Sequence, residues 1–72
     1  MKENKFISLN KRDVYGDVEN TETVVVNINH IISFWPDEKR TRLQLTGKND
    51  TLLVNERFEV VYQQITGRTF LG

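Results

Sequence analysis

Trp35-Pro36, with Lys39, Arg40 and Arg42 close behind, is the part of this 72-residue chain whose residue types come nearest to a working surface. An indole face flanked by cations can stack on a nucleobase, grip a phosphate or seat against a protein partner. The same residues also compose an ordinary hairpin with a tryptophan half-buried against a helix. Residue types alone leave these alternatives open, and Trp35, Lys39, Arg40 and Arg42 stand as the candidate binding residues.

Reaction chemistry is harder to assemble. Catalysis needs a nucleophile, a base or a metal brought together, and the chain has one histidine, no cysteine and two serines, Ser8 and Ser33. Ser33 lies between Ile32 and Phe34 in an expected strand, where packing is its simplest role. His30 is a general base, a metal ligand or a side chain that stabilises a bend; no second ligand or nucleophile is tied to it by spacing. Asp37 and Glu38 fall on an expected turn tip where solvent screens them, a poor setting for paired acid/base work. The glycines are scattered singly, so no loop can cradle a phosphate. Tyr15 and Tyr62 read as core-edge residues. The expectation is no catalytic set, no metal site, no cofactor and no enzyme.

Those candidates sit on elements that the hydrophobic pattern outlines. Lys5 to Asn10 (KFISLN) reads as a first strand, and the polar stretch from Lys11 to Glu22, with Gly16, Asp17 and Asn20, reads as a long loop. Val14 and Tyr15 either extend the first strand or pin that loop. Thr23 to Ile28 (TVVVNI) is a strand, because β-branched side chains favour an extended backbone. Val24, Val26 and Ile28 face one side of it, Val25 and Asn27 the other. Asn29 and His30 bend the run, which resumes from Ile31 to Trp35. Pro36 and Asp37 open a turn with Glu38, Lys39 and Arg40 at its tip. Thr41 to Thr46 (TRLQLT) alternates with Leu43 and Leu45 inward. Gly47 to Asp50 turns the chain again, with Gly47 or Asn49 available for a positive φ. Thr51 to Val54 returns as a strand.

A helix follows. Asn55 suits the N-cap, Glu56 the positive helix end, and Phe58, Val61, Tyr62 and Ile65 fall on one stripe, with Gly67 closing the last turn. Phe70 and Leu71 in the tail either tuck back or pair with a partner chain. The expected fold is α+β: a small, mostly antiparallel sheet of four or five strands with one C-terminal helix on one face, a single domain over residues 1–72. Its core comprises Val24, Val26, Ile28, Ile32, Phe34, Leu43, Leu45, Leu53, Phe58, Val61 and Ile65.

So short a chain buries only about 60 % of its unfolded surface, and its total stability is on the order of 4–10 kcal/mol. Small folds often add disulfides, a metal or a second subunit. Without cysteine, self-association is the remaining device. Ten basic and ten acidic residues cancel, which argues against charge-driven binding to nucleic acid or anionic lipid. The signs still cluster: Lys2, Lys5, Lys11 and Arg12 precede Asp13, Asp17, Glu19 and Glu22. No apolar run approaches the roughly 20 residues that span a bilayer, and the N-terminal residues lack the apolar centre of a signal peptide. A soluble cytoplasmic protein is expected.

Three stretches carry a resemblance: 26–34 (VNINHIISF), 41–47 (TRLQLTG) and 52–58 (LLVNERF). Together they are similar to the small bacterial flagellar and swarming-motility proteins of the FlbD type, chains of comparable length with a hydrophobic strand pair and a helix after V-x-E-S. The same pattern resembles the middle of LytTR-type DNA-binding domains, where I-x-Y-I-E leads to T-x-I-x-L and then a helix. The first resemblance implies a small module without assigned chemistry, the second DNA contact; neither supplies functional residues here. The reading is a non-enzymatic interaction or regulatory module that binds a protein partner and forms a homo-oligomer. The alternative is a nucleic-acid binder using the Trp35–Arg42 hairpin.

Overall fold

The computed structural model describes residues 5–15 and 18–71. They form a five-stranded antiparallel sheet and one helix: β1 (Phe6–Tyr15), β2 (Val18–Asn27), β3 (Ile31–Asp37), β4 (Arg40–Leu45), β5 (Leu52–Val54) and α1 (Phe58–Thr66). A 3₁₀ turn, Ile28–His30, separates β2 from β3. Strand order is β2-β1-β5-β4-β3. Two hairpins, β1–β2 and β3–β4, are therefore joined through the short central β5. No helix among the described residues is long and apolar enough to cross a membrane.

Alternation sorts the sheet into two faces. On the helix side, Ile7, Leu9, Val26, Leu43, Val54 and Val61 form the buried core, with Val24, Ile28, Ile31, Phe34, Leu45, Leu52 and Ile65 packed against it. Register explains the selection: Ile7 lies opposite Val26, Leu9 opposite Val24, Phe34 opposite Leu43, and Leu43 opposite Leu52. Phe34 also stacks on Phe58 at 5.4 Å between ring centres. Phe70 tucks back edge-on against Phe58 and Tyr62, at 4.8 and 5.1 Å, while Leu71 remains 94 % exposed.

Several expectations are corrected. The stretch 11–22 is not a long loop: β1 continues to Tyr15 and β2 begins at Val18, in unbroken register from Phe6↔Asn27 to Tyr15↔Val18. Polar residues sustain the ladder, because Lys11 faces Glu22 and Arg12 faces Thr21, and opposite-charge and β-branched cross-strand pairs stabilise a sheet without burial. Gly16 and Asp17, and the side chains of Val14 and Tyr15, lie outside the described residues.

Ile32 is not in the core but 65 % exposed. The register shifts between Ile31 and Ser33 directly after the 3₁₀ turn, and a one-residue slip sends Ile31 inward and Ile32 outward. Leu53 faces away from the helix, opposite Arg42, leaving Leu52 and Val54 to the core. Pro36 and Asp37 belong to β3 rather than to the turn, which is Glu38–Lys39. A proline is tolerated there because β3 is an edge strand and the missing N–H faces outward.

Asn55 does not cap the helix. Arg57 is the N-cap and makes no side-chain capping bond. The two preceding residues are held by the sheet. The Asn55 N–H donates to the Asn10 carbonyl at 2.9 Å, extending the β1–β5 ladder by one step. The Glu56 carboxylate then accepts the Asn10 N–H at 3.0 and 3.2 Å and the Asn10 Nδ2–H at 2.9 Å, standing in for the strand that β5 no longer supplies. The Glu56 carbonyl accepts from the fully buried Thr41 Oγ1 at 2.8 Å. Glu59, not Glu56, is the acid in the first helical turn. At the far end Gly67 adopts φ 74° and donates to the Gln63 carbonyl at 2.7 Å, the left-handed closure its type permits.

Candidate binding surface on the open face

The β3–β4 hairpin places the candidate residues on or beside the sheet face that α1 leaves uncovered. Phe34 points to the helix, so its neighbour Trp35 points the other way. It is 39 % exposed and lies directly opposite Arg42, which in turn lies opposite Leu53. Indole, guanidinium and isobutyl groups thus form one row across three strands. The ordinary reading, a tryptophan half-buried against the helix, is corrected: the indole is on the other face.

Arg42 is braced from both sides. Its Nε–H donates to Asp37 Oδ2 at 2.9 Å, its Nη2 lies 2.9 Å from the same oxygen, and its Nη1–H donates to Thr51 Oγ1 at 2.8 Å. Each guanidinium nitrogen is already engaged, so the group offers a flat, oriented surface rather than a loose cation. Arg40 faces Asp37 across the ladder, one residue from the turn, and Lys39 is exposed within it. The turn residue Glu38 takes φ 57°, a conformation that costs a side-chain-bearing residue about 1–2 kcal/mol. The two-residue turn of a β-hairpin requires a positive φ of this kind, so the turn itself accounts for it. With Asp37 and Glu38 interleaved among Lys39, Arg40 and Arg42, the patch is mixed in sign.

His30 lies apart from that row. It is exposed, and its backbone carbonyl accepts from the Thr46 N–H at 2.8 Å and Thr46 Oγ1 at 3.2 Å, bonds that tie the end of the 3₁₀ turn to the end of β4. Ser33 is likewise exposed. Among the described residues no three His, Cys, Asp or Glu side chains converge as metal ligands. A depression of about 370 Å³ lies at the 47–51 turn, floored by Leu45 and Leu52 and flanked by Lys11 and Lys48; it includes neither His30 nor Trp35.

Exposed apolar side chains also stand outside the sequence-derived site, two of them on the open face away from the hairpin. Phe6, 57 % exposed, and Val25, 63 % exposed, share the open face at the opposite end of the sheet. The signal was present in the alternation of Thr23–Ile28, which turns Val25 away from Val24 and Val26. Family models, curated proteins and solved structures show no match to the chain.

Proposed function

We propose that the chain is a non-enzymatic interaction and regulatory module that binds a protein partner through the open face of the β3–β4 hairpin and also self-associates. The observation that supports it most is the half-exposed Trp35 set beside an Arg42 already locked by Asp37 and Thr51. Binding hot spots are rich in tryptophan and arginine, and a side chain held in place before contact loses little entropy on binding. Leu53 extends the apolar part of the row, and Asp37 with Arg40 supplies a polar rim.

Nucleic acid is the rival ligand for this surface. It draws on Lys39 and Arg40, but the internal pairing of Arg42 and the interleaved acids count against it. The two readings separate in one set of measurements. Proteins captured by the wild-type chain and lost with Trp35→Ser, but retained by Leu71→Ser, support the protein-contact reading; capture insensitive to Trp35 refutes it. Binding of DNA or RNA oligonucleotides at low salt, with a salt slope reduced in the Arg40→Ala/Arg42→Ala double variant, would establish the rival.

A further inference from the structure

The two edges of the sheet are built differently. β3 carries Pro36, which lacks a donor, and a register shift at Ile31/Ser33, both of which blunt an edge. β2 has neither. Its segment Thr23–Asn27 (TVVVN) contains no charge, proline or glycine, and among the described residues nothing pairs with its outer side. The Ile28 N–H donates to the Lys5 carbonyl at 3.0 Å. By alternation Val24 and Val26 also bond towards β1, so Thr23, Val25 and Asn27 turn their N–H and C=O groups outward.

We propose that a second copy of this chain occupies that edge, with the two β2 strands antiparallel about a two-fold axis at Val25. This deepens the self-association half of the proposed function and rests on it. Val25 faces Val25 of the second copy, and Thr23 faces its Asn27, each pair exchanging two N–H···O bonds. On the helix side Val24 meets Val26 of the other copy, and the apolar layer runs across the seam. On the open face Val25 and the diagonal Phe6, both largely exposed in one chain, continue into the same pair from the other.

Charge and strand length select this register. Moving the axis one residue towards the N-terminus sets Glu22 against Val26 of the second copy, a carboxylate on the core side. Moving it towards the C-terminus runs out of strand, because the 3₁₀ turn begins at Ile28. A seam of about five residues is at the small end of specific interfaces, so the dimer is one that dissociates on dilution.

The chain has no cysteine, so a single introduced thiol can only bridge two molecules. Val25→Cys places two thiols on Cα atoms about 5.5 Å apart across the axis, within disulfide reach. Thr21→Cys places them roughly 27 Å apart. Oxidation is expected to link Val25→Cys into a covalent dimer and to leave Thr21→Cys monomeric. In sedimentation across a dilution series, Val25→Lys sets like charges face to face and should weaken association at least about 100-fold, with circular dichroism unchanged and the thermal midpoint equal to wild type at dilutions where both are monomeric. Equal cross-linking of both thiol variants, or undiminished dimerisation of Val25→Lys, overturns the β2 seam while leaving self-association through another surface intact. A wild-type chain that stays monomeric to millimolar concentration overturns both the seam and the self-association on which it rests.

Discussion

Glu56→Ala tests the junction on which the two halves of the sheet depend. The Glu56 carboxylate receives the Asn10 N–H and Nδ2–H at 2.9–3.2 Å, at a point where β5 has ended and the helix has not begun. Hydrogen bonds to an ionised acceptor contribute about 1.5–3 kcal/mol. Both residues are half-buried, so water replaces part of what alanine removes, and a loss of about 2 kcal/mol is expected. For a domain of this size that lowers the thermal midpoint by about 8–16 °C. The bond from Thr41 Oγ1 goes to the Glu56 backbone carbonyl and is unaffected. Glu56→Gln keeps an acceptor without the charge and should lose about half as much. Urea unfolding followed by the sole tryptophan and by far-ultraviolet circular dichroism measures the difference. Amide exchange localises it: Asn10 should lose protection, whereas Lys11, whose N–H faces β2, should keep it. A Glu56→Ala variant within about 0.5 kcal/mol of wild type, or an Asn10 amide exchanging as before, would refute the reasoning.

Other substitutions probe the remaining supports. Val61 is the fully buried helix residue, and Val61→Ala should cost about 2 kcal/mol through the cavity it leaves; an effect below 0.5 kcal/mol (about the size expected of a surface change) would mean that α1 does not seal the core. Gly67→Ala meets no atom within 4 Å, so its expected loss of about 1 kcal/mol comes from the positive φ alone. Glu38→Gly relieves the strained turn at φ 57° at the expense of unfolded-chain entropy, and a net gain of up to about 1 kcal/mol is expected; a clear loss in thermal unfolding would show that the Glu38 side chain itself stabilises the hairpin.

Much of the architecture is legible because period-two alternation survives in short strands. Thr41–Thr46 is read with Leu43 and Leu45 inward, and the structure places them so. The helix stripe and the Gly67 terminus are equally plain, since both are local signals. What escapes the sequence is non-local. The polar ends of β1 and β2 look like loop because their stabilisation comes from pairing with each other, Lys11 with Glu22 and Arg12 with Thr21, rather than from an apolar face. Ile31 and Ile32 cannot be assigned sides without the register shift between them. Asn55 has the chemistry of a cap, but the ladder to Asn10 claims its backbone and moves the helix start two residues on. At the candidate surface, Trp35 and the cations are visible as a cluster, yet the locking of Arg42 by Asp37 and Thr51 requires that β3, β4 and the start of β5 be brought side by side.

The placement of β5 has a consequence for synthesis. Each hairpin is sequence-local, but the strand that joins them, Leu52–Val54, and the helix that covers them, Phe58–Thr66, follow both hairpins in the sequence. During synthesis, residues 6–45, which make both β-ribbons, emerge before the segment that joins them. Cooperative closure waits until residues 52–66 have followed, the strand to pair between the ribbons and the helix to cover their apolar side.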